Sequence, residues 1–214
     1  MQGAALRNTK VSGAILDGAD LSGADLRALD LRQVTSLSGT DFSGARLDRA
    51  RFDRLDLSGT RFDEAQMDHA SFAGSRLVGA HLARATLRKA DLSKADLTGA
   101  DLRGATLTGV KLRATTLRSA NLEQASIGGN LVGADLSDAR LAKADLSGAN
   151  QKDARFDGAD LQQANFGSCN LYAADFSGSN LSGANFRGAN LRNAVFTGAE
   201  LNGAVFDPGA ERPK

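Results

Sequence analysis

A chain of 214 residues suits one domain or one repeat array, and its 26 Lys plus Arg against 25 Asp plus Glu leave a formal charge of +1. That balance argues against bulk nucleic-acid binding, which draws on a basic field, and against an overall acidic surrogate for DNA. One cysteine closes no internal disulfide, and two histidines with one thiol do not complete a usual zinc cage, so neither a disulfide framework nor a metal cofactor is expected.

Residues 1–3 read as a short lead-in. The opening Met-Gln-Gly-Ala-Ala-Leu-Arg lacks the basic start and apolar stretch of a signal peptide. No apolar run approaches the ~18 residues of a membrane span. The expectation is a cytoplasmic protein with no membrane span.

A five-residue unit begins at residue 4: small, polar, large apolar, polar, and often Gly, as in Ala19-Asp20-Leu21-Ser22-Gly23. With the large apolar position called the centre, the chain holds 41 units, centred from Leu6 to Leu31, Leu37 to Ile127 and Leu131 to Phe206. The centres are 27 Leu, all 10 Phe, and Val11, Met67, Ile127 and Gln151, and Ala stands two residues before 29 of them. On an α-helix, five residues advance the centre by ~140° beyond a full turn, which leaves no apolar face. On an unbroken strand an odd period flips successive centres to opposite faces. The chain must therefore bend once per unit, with a short strand carrying the small and large residues inward and a Gly-containing pair making the turn. A solenoid of very short strands is the predicted fold.

The first block ends at a register slip near residues 32–35, where Leu31 to Leu37 spans six residues, and a bulge at a corner is expected. In the second block Phe42, Phe52, Phe62 and Phe72 recur every ten residues. If four units make one coil, Phe42 lies on Phe62 at the ~4.8 Å strand spacing, with aromatic columns on two opposite walls and Leu on the others. His69 and His81 point outward without an acidic or thiol companion in a ligand pattern. From Arg76 to Arg118 nine basic residues face three Asp. Arg84, Arg88, Lys89, Lys94, Arg103, Lys111, Arg113 and Arg118 of this band are the candidate partner contacts, although they fall on all four sides.

A second slip, one residue short, lies at residues 128–130. In the third block Gln151 is the one polar centre, and its amide is expected to meet backbone or water or to swing outward. Cys169 reads as a small inward filler. Phe156, Phe166, Phe176, Phe186, Phe196 and Phe206 again recur every ten residues, as core. Residues 209–214 form a tail in which charge and proline, with Pro208 just before it, discourage further stacking. Neither a C-terminal dimerisation helix nor an N-terminal lid is visible, leaving a monomer or end-to-end association. No catalytic group and no phosphate-loop motif stands out, so an enzyme is not expected.

The tandem A(D/N)LXX pattern, as in Ala184-Asn185-Phe186-Arg187-Gly188, resembles the pentapeptide-repeat proteins over about residues 4 to 208. The resemblance implies an all-β fold, a right-handed quadrilateral parallel β-helix of about ten coils of four pentapeptides, roughly 48 Å long. It implies a non-catalytic scaffold whose flat faces bind a protein. The alternative it implies is a DNA mimic that binds a topoisomerase such as gyrase, inhibiting it or protecting it from quinolones.

Overall fold

The computed structural model describes residues 2–6 and 9–208, and among these no helix occurs. Away from the slips, each centre's carbonyl accepts the N–H three residues on, as Phe42 does from Ala45 at 2.9 Å and Leu77 from Ala80 at 3.0 Å. The residue just before that donor takes positive φ, 64° at Gly44 and 61° at Arg49, which is the signature of a type II turn. Every pentad thus turns a corner.

The residue before each centre pairs in parallel with its counterpart twenty residues on: Asp41 with Arg61, Arg46 with Gln66, Arg51 with Ser71, Asp56 with Arg76. Four ladders result, here called walls one to four in that order. Wall one runs from Asp20 to Glu200, wall two from Ala5 to Val205, wall three from Asp30 to Asn190 and wall four from Ile15 to Val195. Across the first slip the partners are twenty-one residues apart, as in Asp20 with Asp41, and across the second nineteen, as in Thr116 with Asp135. The missing residue is absorbed where β1 (Thr106–Lys111) pairs in parallel with β2 (Ser126–Asn130). Their register shifts between Leu107 and Val110, so that Val110 faces Gly129.

The extra residue has a larger effect. Among the described residues, wall four lacks the pairing between Ser36 and Asp56 that the other coils would predict. Leu55 takes the inward place usually held by Ala, does not fit it, and is only half-buried. A groove of about 250 Å³ opens there, lined by Val34, Leu37, Leu55, Asp56 and Ser58 among others. The ladder breaks here, where the extra residue of the slip and the misfit of Leu55 coincide; Leu29, in the same inward role on wall three, is buried beside an intact pairing of Asp30 with Arg51.

Inside, rings stack along walls and meet edge-to-face across the interior. Phe42 lies on Phe62 with centroids 5.2 Å apart and Phe52 on Phe72 at 4.8 Å, while Phe42 meets Phe52 at 5.9 Å and 82°. The third block repeats this with Phe166 on Phe186 at 5.1 Å and Phe156 on Phe176 at 4.9 Å. The aromatic columns do not keep to one pair of walls, however. They occupy walls one and three in the second block and walls two and four in the third. Seventeen pentads separate Phe72 from Phe156, an odd number, and that moves the ten-residue alternation by one wall. Phe206 is half-buried rather than core.

Most small polar residues at the inward position before the centre, though not Thr60, return their hydroxyls to the backbone. Thr40 Oγ1 donates to the Leu37 carbonyl at 2.8 Å and Ser179 Oγ to that of Phe176 at 2.7 Å. Gln151 is fully buried, and neither its Nε2 nor its Oε1 meets a protein partner. It has not swung outward, because its backbone N–H is held by Asn170 at 2.8 Å. An unpaired buried amide costs about 1–3 kcal/mol on mutational scales. Gln151→Leu is therefore expected to stabilise the protein by about that amount, read as a higher urea midpoint at unchanged slope; a lower midpoint would refute it.

The last coil ends in half-buried Leu191 and Leu201 and exposed Val195 and Val205. Pro208 is exposed; the tail of residues 209–214, with Pro213, lies outside the described residues.

Candidate functional site

Of the eight candidate cations, five are tied down. Arg84 pairs with Glu64 at 2.5 Å, Arg88 with Asp68 at 3.4 Å, Arg103 with Asp101 at 2.6 Å and Lys111 with Asp91 at 3.3 Å. Arg118 reaches Asp135 at 3.3 Å and Asp138 at 3.4 Å. They also lie apart, with Arg84 and Arg103 on wall one, Arg88 on wall two, Lys111 on wall three and Arg118 on wall four. The structure does not bring these five together. Lys89, Lys94 and Arg113 are exposed and make no ion pair among the described residues.

Arg49 and Arg54 share that condition and were missed in the sequence, as do Lys10, Lys143, Arg187 and Arg192 farther along the rod, all exposed and unpaired among the described residues. Arg49 and Lys89 sit with His69 between them at the corner from wall two to wall three, and Arg54, Lys94 and Arg113 at the corner from wall three to wall four. The signal was available: a coil neighbour stands twenty residues away, and none of these five has a carboxylate there, whereas Arg84, Arg88 and Lys111 do.

The backbone beneath them is the left-handed corner that recurs around the whole rod. Arg49, Arg54, Lys89 and Lys94 hold φ of 61°, 62°, 56° and 59°. Left-handed backbone costs a residue with a side chain roughly 1–2 kcal/mol, and glycine is the ordinary occupant. At the corner leaving wall four the chain uses Gly18, Gly39, Gly59, Gly79 and Gly99 in the equivalent places. The stems of Arg54 and Lys89 extend over Gly74 and Gly109, which leave them room.

Charge is divided around the rod although the sum is near zero. Among the described residues wall three carries nine Lys or Arg against four Asp or Glu, and wall two six against five. Wall four carries seven acidic residues against three basic, and wall one eight against five. Walls one and four adjoin, so one edge of the rod has an excess of seven negative charges and the opposite edge is basic. Several carboxylates are fixed in their charged form. The Arg32 guanidinium hydrogen-bonded to Asp30 holds its pKa down at about 2, and that of Arg103 lowers Asp101. The Ser58 hydroxyl and backbone N–H do the same for Asp56.

Other candidates show no converging chemistry. Cys169 is buried, its Sγ lies 2.9 Å from the Leu146 carbonyl, and burial pushes the thiol up to about 11. His69 and His81 are exposed, and among the described residues no three His, Cys, Asp or Glu side chains gather as a metal site. No helix among them is long and apolar enough to cross a membrane.

A family model described as pentapeptide repeats matches the chain in eight copies, over residues 1–35, 35–63, 65–104, 95–129, 130–167 and 169–207. No curated protein matches. Among solved structures, the chain is similar to HetL, a pentapeptide repeat protein involved in heterocyst differentiation regulation from the cyanobacterium Nostoc. That match has 31% identity, covers 95% of this chain and 87% of the other, and has a TM-score of 0.38. It is also similar to full-length QnrB1, a plasmid-mediated fluoroquinolone resistance protein, at 21% identity over 88% of this chain and 93% of that one, with a TM-score of 0.38. A pentapeptide repeat protein of the Arabidopsis thaliana thylakoid lumen matches at 25% identity over 75% and 70% of the two chains, with a TM-score of 0.21.

Proposed function

Because this chain belongs to the pentapeptide-repeat family, we propose that it is a non-catalytic scaffold whose flat walls bind a protein partner. The observation that carries this reading is the division of labour along the chain. Residues facing inward are Leu, Phe and Ala packed to near-zero exposure, and the polar side chains stand outward on rigid, hydrogen-bonded walls. Such a body offers surface and little else. In this reading the repeat body spans residues 4–208 as a right-handed helix of about ten coils and works in the cytoplasm, as a monomer or by stacking its ends.

A second reading rests on the acidic edge formed by walls four and one: mimicry of DNA toward a topoisomerase. Duplex DNA carries one charge per ~1.7 Å, so a rod of about 48 Å needs ~28 net negatives to match it, and about nine for a third of that density. The edge supplies seven, and every other wall has a basic excess. The scaffold reading is therefore preferred.

Two measurements separate the readings. In a gyrase supercoiling assay, micromolar protein is expected to leave activity and quinolone poisoning unchanged; inhibition or relief would move the second reading to the front. Affinity capture with mass spectrometry is expected to return a saturable protein partner, and the scaffold reading falls if none is retained at low salt.

A further inference from the structure

We infer that wall three, between residues 49 and 113, is the docking strip, and that its partner is an acidic protein segment. The inference rests on the scaffold reading and adds to it which wall is used and what the partner must carry. Two observations meet on this wall.

First, the wall is edged on both sides by cations that no carboxylate neutralises: Arg49 and Lys89 along one corner, Arg54, Lys94 and Arg113 along the other. Elsewhere on the rod Arg and Lys are commonly matched by an acid two or twenty residues away, as Arg103 is by Asp101 and Arg84 by Glu64, and the unmatched Lys143 and Arg187 stand singly on walls one and two. Second, wall three carries the largest basic excess of the four, and the walls beyond its far corner are acidic.

The last point selects the partner. A nucleic-acid duplex is wider than one wall and bears a phosphate charge every ~1.7 Å, so it would overhang the acidic walls and be repelled there. An acidic polypeptide laid along the rod stays within the strip. Successive cations in each row, Arg49 to Lys89 and Arg54 to Lys94, are two coil steps apart, or roughly 10 Å at the strand spacing. Carboxylates a few residues apart on one extended or helical segment span that distance. The rows are solvent-exposed, so the attraction is steering and orientation, strongest at low salt.

The backbone conformation also supplies a clean test. Replacing Arg49, Arg54, Lys89 and Lys94 together by Gly removes four positive charges while relieving strain, so folding is preserved. A matched control removes four cations from walls one and four: Arg61→Ser, Arg84→Gly, Lys143→Gly and Arg155→Ser. A fluorescein-labelled twelve-residue oligoglutamate peptide, followed by anisotropy at 50 mM salt, is the probe. The strip variant should bind it at least tenfold more weakly than the native chain, and the control within twofold of native. Equal losses in the two variants would reduce the effect to bulk charge and overturn the assignment, as would absence of peptide binding by the native chain. A 20-base-pair duplex bound more tightly than the peptide through the same four residues would make the strip a nucleic-acid site instead. Salt-sensitive dimerisation by sedimentation, abolished by the four Gly substitutions, would make a second copy the occupant and equally overturn it. Failure of the broader reading is distinguishable: a partner captured equally by the native chain and the strip variant removes wall three alone, whereas no partner for either removes the scaffold.

Discussion

Gly129→Ala is expected to destabilise the protein by about 2–6 kcal/mol, adding the strain of a forbidden backbone to that of overpacking, each about 1–3 kcal/mol. Gly129 has φ of 134°, in the region that side chains avoid. A Cβ there would lie 2.2 Å from the Val110 carbonyl oxygen and 2.8 Å from the Val110 nitrogen. Both are backbone atoms of the paired strand, so no rotamer change relieves the contact. The position exists because the chain is one residue short at this corner and must cut across it, bringing β2 close to β1. Urea unfolding should show a clear loss for Gly129→Ala, and Val110→Ala in the same chain should not restore it. Gly133→Ala has open space around its new Cβ and φ of 64°, so it should cost only about 1 kcal/mol. Equal stabilities for the two variants would refute the close-approach account.

Phe176→Ala is expected to cost about 3–5 kcal/mol, the usual range for deleting a buried ring. Phe176 is fully buried and stacks on Phe156 at 4.9 Å and on Phe196 at 5.0 Å. It also meets Phe166 at 5.5 Å and Phe186 at 5.8 Å edge-to-face, so one truncation breaks four aromatic contacts. The gap has little means of closing, because hydrogen-bonded walls fix the spacing between coils. Phe176→Leu should recover most of the loss, since leucine fills the same place on this wall at Leu97 and Leu136. Calorimetry on the three proteins tests this, and an Ala variant melting with the native chain would contradict the packed interior.

Much of the fold was legible because it depends on one period. A five-residue unit with a single large apolar residue has few backbones available, and the small residue before each centre left room for coils to touch. The stacking of Phe42 on Phe62 followed from the same arithmetic. The aromatic columns changing walls did not, although counting pentads across the second slip would have revealed it. What local pattern could not convey was the effect of individual misfits. Leu55 and Leu29 stand in the same inward place in the sequence, yet only beside Leu55 is the ladder broken, between Ser36 and Asp56, and that difference depends on contact across coils. Gln151 read as an amide that would meet backbone or water, and the protein around it provides no partner. The candidate surface was half visible. Composition located a basic band, but only ladder register separates Arg84, whose carboxylate lies twenty residues before it, from Lys89, which has none.

The twenty-residue coil also limits how such a chain can lengthen. Duplication of twenty residues adds a storey and leaves every later side chain on its original wall. Gain of five or ten residues instead rotates all that follows by a quarter or half turn, which would carry Lys89, Lys94 and Arg113 away from Arg49 and Arg54. Single-residue slips at a corner have no such effect, because the ladders resume directly above, as Asp135 over Thr116 shows. Inheritance of a surface pattern on this architecture therefore favours growth by whole storeys, and tolerates small errors at the corners better than the loss of one pentad.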